Sequence, residues 1–253
     1  MGTKLIPDSI ENAVKNLTDK PTQAIGQTVS DIWFLVFGGI TTAAEKKKLK
    51  YAHDIELFKQ QLEAETSQIP VDQQTEPDIQ VAAQALEASK YCVGSEQLRE
   101  LFAKLIAGTM NKTMSSYMHP SFPEVLKQCG ETDALLIKYL KEKNSLPVAD
   151  ICLTKPEPPE AFTVYASNVF LPYGCNTCET VSLSGSFLQR VGIIDIFESR
   201  QFENASIYHP FEDLPIYKRA KKDAALHKMN LKLMPKMCSL TTFGRALIHV
   251  CVD

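Results

Sequence analysis

Apolar positions recur at helical spacing through the first half of the chain. Leu49, Ala52, Ile55, Phe58 and Leu62 fall three or four apart, with Lys46, Lys47, Asp54, Lys59 and Glu63 on the other side. This predicts an amphipathic helix with one face against a core. Ile79, Ala82, Leu86 and Val93 repeat the pattern after the polar linker PVDQQ, and Thr75 with Asp78 reads as a variant of the capping box at its start. Gly94 suits the end of that helix and Ser95 the start of the next, whose Leu98, Leu101, Phe102, Leu105 and Ile106 form one stripe. A short helix around Glu124 to Gln128 and, after Gly130, a helix carrying Leu135, Leu136, Tyr139 and Leu140 complete the series.

One upstream stretch differs in kind. Trp33 to Phe37, WFLVF, is apolar on every helical face, which predicts a helix surrounded by protein or by lipid. The uncharged run from Ile32 to Ala44 is 13 residues long, roughly 20 Å as helix against a hydrocarbon core of about 30 Å, so no transmembrane span is expected. The leading expectation is a buried central helix, with Trp33, Phe34 and Phe37 packed on helices such as Leu98 to Ile106. The alternative is an interfacial contact with a membrane or a partner, in which these rings insert and Lys46, Lys47 and Lys48 face anionic groups.

The periodicity changes near His119. Pro147 to Gly174, with Pro156, Pro158, Pro159 and Pro172, reads as loop or short extended pieces. Leu183, Phe187, Leu188 and Val191 return to one helical face, Gly192 can close that helix, and Ile193 to Phe197 suits a strand. A variable polar stretch follows, then strand-like Cys238 to Leu240, a Thr cap and a final apolar element. Helix, helix, strand, loop and strand is the order of a winged helix. The expected architecture is mostly α, with a helical domain over residues 1–118 and a winged-helix-like α+β domain over residues 119–253.

Composition leaves this picture standing and narrows the chemistry. A chain of 253 residues, 44% hydrophobic and 23% charged, has room for two modest cores. A formal charge of -3 argues against a surface that grips nucleic acid everywhere, but permits a local patch. Lys218, Arg219, Lys221, Lys222, Lys228, Lys232 and Lys236 crowd a stretch whose single acid is Asp223. As part of a wing or its approach, this cluster would neutralise phosphates, while Gln189 and Arg190 on the candidate recognition helix would offer an amide and a guanidinium to base edges.

Seven scattered cysteines and an N-terminus without a secretion signal suit a reducing cytoplasm. Cys175 and Cys178 form a CxxC, but neither a second CxxC nor an HxxxH offers further zinc ligands, so structural thiols are expected and no metal or cofactor is assigned. His53, His119, His209, His227 and His249 show no HExxH spacing, and GxSxG and GxxxxGK are both missing. No catalytic residue is assigned; a non-enzyme is favoured, and an enzyme with an unfamiliar site stays open.

The phrases LTDKPTQAIGQTVSDIWFLVFGGI, KYAHDIELFKQQLE, ALEASKY, LRELFAKLIAGTM, SYMHPSF, LQRVGII and LTTFGRALI occur in that order along the chain. Together, from about Leu17 to Val252, they resemble the Abi-alpha family of bacterial proteins, associated with abortive phage infection. The resemblance implies an intracellular role in phage defence and carries over no catalytic residues. Read with the residues, it leads to a non-enzymatic effector or sensor acting through a protein partner, a second copy of itself or a membrane surface. A DNA-binding regulator using the C-terminal domain is the alternative.

Overall fold

The computed structural model describes residues 23–37, 45–157, 162–174 and 177–253. The chain forms two compact units, Met1–Ala134 with Ala246–Asp253, and Leu135–Arg245. The fold is α+β.

In the helical unit, α1 (Gln23–Phe37) has one apolar face and not an apolar circumference. Val29, Trp33, Val36 and Phe37, at helical spacing, are buried, whereas Phe34 is 38% and Leu35 83% exposed. Burial of Phe34 was expected and does not occur, because residue 34 follows Trp33 by about 100° around the helix and lies off the buried stripe. Trp33 and Phe37 pack on Phe58 of α2 (Glu45–Ser67), with ring centroids 5.5 and 6.4 Å away.

Asp78 caps α3 (Ile79–Ser89) directly, its carboxylate accepting from the Val81 N–H at 3.2 Å. Ser95 is the N-cap residue of α4 (Glu96–Gly108), though its hydroxyl makes no capping bond. The expected stripe Leu98, Leu101, Phe102, Leu105 and Ile106 is buried throughout. α4 packs against α2 and α3, and α5 (Phe122–Gln128) against α3 and α4. One buried cation crosses this interface: Arg99 lies 3.7 Å from Asp54 of α2 and donates to the Val93 carbonyl. Gly130 precedes α6 (Glu131–Lys143) as its sequence suggests.

The second unit is built on a four-stranded antiparallel sheet in the order β2-β1-β4-β3. β1 (Ser145–Thr154) and β2 (Phe162–Phe170) occupy the segment expected to be loop or short extended pieces, and are full-length strands. Pro147 of β1 and Pro235 of the later strand β4 do not break the sheet, because each meets an open side. Pro147 precedes Val148, whose partner Phe170 is the last β2 residue, and its carbonyl accepts from the Tyr173 hydroxyl at 3.2 Å. Pro235 lies beyond Phe197, where β3 (Ile194–Phe197) stops pairing with β4 (Asn230–Leu240). On those sides no ladder bond is lost.

A Thr177–Thr180 capping box starts α7 (Cys178–Arg190). Gly185 lets it approach the Phe170 ring, where a β-carbon has no room. Gly192 closes it at φ +78°. The connection from β3 to β4 is not a polar loop. It holds a 3-10 segment (Ala205–Asp213) and α8 (Pro215–Leu226), which cover one sheet face through Tyr208, Phe211, Leu214 and Ala220 packed on Ala149, Ile151 and Val169. α9 (Thr242–Cys251) follows β4.

Because Phe58 is fully buried between two other rings, Phe58→Ala should destabilise the helical unit by about 3–5 kcal/mol. Denaturant melts followed by Trp33 fluorescence would read this, and a loss under about 1 kcal/mol would mean that the ring cluster does not hold α1.

Candidate functional site

The most constrained polar group of the sheet unit is Lys236. Its side chain is 5% exposed, and its ammonium donates to Asp150 Oδ2 at 2.7 Å, Glu198 Oε2 at 2.6 Å and Asn168 Oδ1 at 3.2 Å. Three N–H donors meet three acceptors, so the amine is saturated. Asn168 is placed for this by a bulge in β2: its backbone is left-handed at φ +49°, and its N–H donates to the second oxygen of Asp150 at 2.8 Å. The Lys236 carbonyl accepts from the Tyr208 hydroxyl at 2.7 Å.

Burial alone would lower the Lys236 pKa, but the bonds and charges of Asp150 and Glu198 outweigh it and raise it. A lysine held protonated and triply bonded is neither a base nor a nucleophile; it is a cationic tie between strands. Lys236 thus leaves the basic cluster to which its position in the sequence had assigned it.

Of the remaining cations of that cluster, Lys232 is exposed on β4 and the others lie on or just past a helix. Lys218, Arg219, Lys221 and Lys222 project from α8, Lys228 follows its end, and all five are exposed. Asp223, the one acid among them, accepts from the Tyr165 hydroxyl at 2.7 Å. Gln189 and Arg190 are exposed in the last turn of α7, with the Arg190 guanidinium 5.2 Å from the Phe187 ring centroid.

In the helical unit Trp33 and Phe37 belong to the aromatic cluster and Phe34 to the outer face of α1. Lys46, Lys47 and Lys48 fall in the first turn of α2, and their side chains lie outside the described residues. Cys175 also lies outside them. Cys178 is buried at the start of α7, and burial, then its 3.2 Å bond to Glu179, push its thiol up to about 11.

One arrangement had a legible signal that went unused. His249 and Asp253, four residues apart, bring Nδ1 and Oδ2 to 3.1 Å, and the edge of Tyr117 meets the imidazole at a centroid distance of 4.4 Å. His249 and Asp253 line a cleft of about 170 Å³ with Glu65, Gln68, Lys104 and Asn111. A carboxylate on one ring nitrogen orients an imidazole. Lys104 is engaged beside it, donating to the Val252 carbonyl at 2.9 Å.

These features define a two-unit α+β protein whose sheet is tied by a buried lysine and whose chargeable groups gather on a helix face and in a shallow cleft. The chain belongs to the abortive infection alpha family, which matches it over residues 50–251. Neither a curated protein nor a solved structure matches it.

Removing one partner of the buried pair, as in Asp150→Asn or Lys236→Met, should cost about 3–5 kcal/mol, and removing both with apolar residues of similar volume should cost less than either alone. Since the folded Lys236 pKa is raised, its contribution is whole below the ordinary value of 10.5 and is lost as pH rises through the raised value. Thermal melts across this alkaline range should therefore fall more steeply for the unaltered protein than for the double variant; parallel curves would show that the pair adds nothing.

Proposed function

We propose that this protein acts in phage defence as a non-enzymatic effector or sensor that makes its contact through the outer face of α1. Family membership supports the defence role. The contact rests on one observation: Leu35 is 83% and Phe34 38% exposed on a helix whose opposite face buries Val29, Trp33, Val36 and Phe37. A single exposed apolar side chain is ordinary, but two adjacent ones beside an aromatic core mark a surface suited to a second apolar body. The Trp33 indole N–H adds to this, being buried with no hydrogen-bond partner among the described residues. An unpaired buried donor costs about 1–3 kcal/mol, so the docking of α1 is less than fully satisfied.

In sequence, Lys46, Lys47 and Lys48 follow this helix, and cations of that kind strengthen contact with anionic headgroups or an acidic partner. Among the described residues no helix is long and apolar enough to cross a membrane. The reading is of a contact made at a surface, and it takes the protein to be bacterial and cytoplasmic. It treats the sheet unit as winged-helix-like: α7 leads into antiparallel β3 and β4, β1 lies on the far side of β4, and residues 198–229 stand where a short wing would be.

Expression in a bacterial host should lower the burst size of at least some phages, and Leu35→Glu should abolish that protection while leaving the melting temperature within about 2 °C, as expected for a surface change. Equal burst sizes with and without the gene across a broad panel would remove the defence role. Full protection by a folded Leu35→Glu variant would remove the contact.

A further inference from the structure

We infer that α8 is a docking element for duplex nucleic acid, gripping the phosphate backbone without reading bases. This goes beyond the defence reading and does not depend on the outer face of α1.

The inner side of α8 is settled, with Ala220 and Ala224 buried against the sheet unit. Its outer side consequently presents Lys218, Lys221 and Lys222 at successive helical steps, with Arg219 beside them. Cations at such steps stand about 5–6 Å apart on a rigid support. A duplex offers one negative charge per roughly 1.7 Å of axis, so a row of this kind meets several phosphates at once.

Acids near the row are few among the described residues; Glu179 is one, its pKa lowered first by its backbone hydrogen bond and, least, by Arg219. Arg219, Lys221, Lys222, Lys228 and Lys232 form no ion pair among the described residues. Lys218 has Asp213 at 3.5 Å, but both are well exposed, and such a pair is weak. Asp223 is turned to Tyr165.

Lys228 adds a fifth exposed cation just past the end of α8. The Met229 N–H reaches back to the Ala224 carbonyl at 2.8 Å and the Lys228 N–H to Ala225 at 3.3 Å, the paired bonds of a left-handed helix stop. Lys228 holds that stop at φ +52°, where glycine is the usual residue and a β-carbon is strained. Folding alone therefore favours glycine there. A cation at the helix end also suits the dipole, and Lys228 extends the exposed row past the last turn of α8.

The occupant follows from what the surface lacks. A membrane-seated helix needs a free apolar face, and that of α8 is spent on the sheet, leaving Leu226 as its exposed large aliphatic residue. The most discriminating base contacts are bidentate ones from amides and guanidinia, whereas amines serve equally well as point charges for phosphates. α8 offers four amines and one guanidinium across Lys218, Arg219, Lys221, Lys222 and the adjoining Lys228, and no amide side chain.

The test uses the full chain and fluorescence anisotropy with a labelled mixed-sequence DNA duplex of about 20 base pairs, at about 50 and 200 mM salt. Four neutralised phosphates should give an affinity that falls roughly 100-fold over that range. Lys221→Glu with Lys222→Glu should abolish binding, and Lys127→Glu, on α5, should leave it unchanged. Lys228→Gly guards against misfolding as the cause: its melting temperature should hold or rise while affinity drops about 3-fold and the salt slope shrinks by about 0.9. The inference is overturned by no duplex binding at low salt, by native binding in a folded α8 double variant or in Lys228→Gly, or by attachment to phosphatidylserine vesicles with none to duplex.

Discussion

One ammonium group joins almost every part of the sheet unit. Lys236 sits on β4 opposite Val148, reaches Asp150 on β1 and Asn168 in the β2 bulge, and is met by Glu198 just past β3, while its own carbonyl holds Tyr208 of the covering 3-10 segment. Each bond alone is modest, and that to the largely exposed Glu198 is screened by solvent. The constraint lies in their joint dependence on a charge that has left water and must keep its acceptors. The bulge, the left-handed Asn168 and the fold of the β3–β4 connection over the sheet are the geometry that satisfies it.

The helical unit rests on different physics. Its interior is held by ring and aliphatic packing around Phe58, Phe102 and Phe122, with the Asp54–Arg99 pair as a buried ionic crossing. Packing of that kind fixes the inner face of α1 and leaves its outer face unconstrained. Similarly, α8 spends its small alanines on the sheet and leaves its cations outside. In both units the side facing away from the core is the side available for contact.

Legibility in the sequence followed the same division. Helices with period 3.6 and local caps could be read: the Leu98 to Ile106 stripe, Gly130, Gly192 and the strand before Phe197 all stand where pattern placed them. β1 was hidden because SLPVADICLT is buried on both faces and so shows no alternation, and because Pro147 argued for a loop when only its partnered side mattered. The basic residues were visible as a cluster but not as a helix face. Nothing local distinguishes Lys236, which turns inward, from Lys232, which remains exposed; the acceptors lie 38 to 86 residues earlier in the chain and meet it only in the folded sheet. His249 and Asp253, by contrast, were within reach of a simple i, i+4 rule.

The strand order also sets a timetable. β1 emerges early and pairs with β2 nearby, but its other neighbour is β4, with Ser145 opposite Ser239 at a separation of 94 residues. On the ribosome that side of the β1–β2 hairpin stays open until nearly the whole unit has been made, and closing so long a loop is the slow kind of step in β assembly. The nascent chain therefore carries a strongly apolar strand with one open edge from the completion of β2 until β4 is made, and the late arrival of β4, bringing Lys236 to the waiting Asp150, is what ends that exposure.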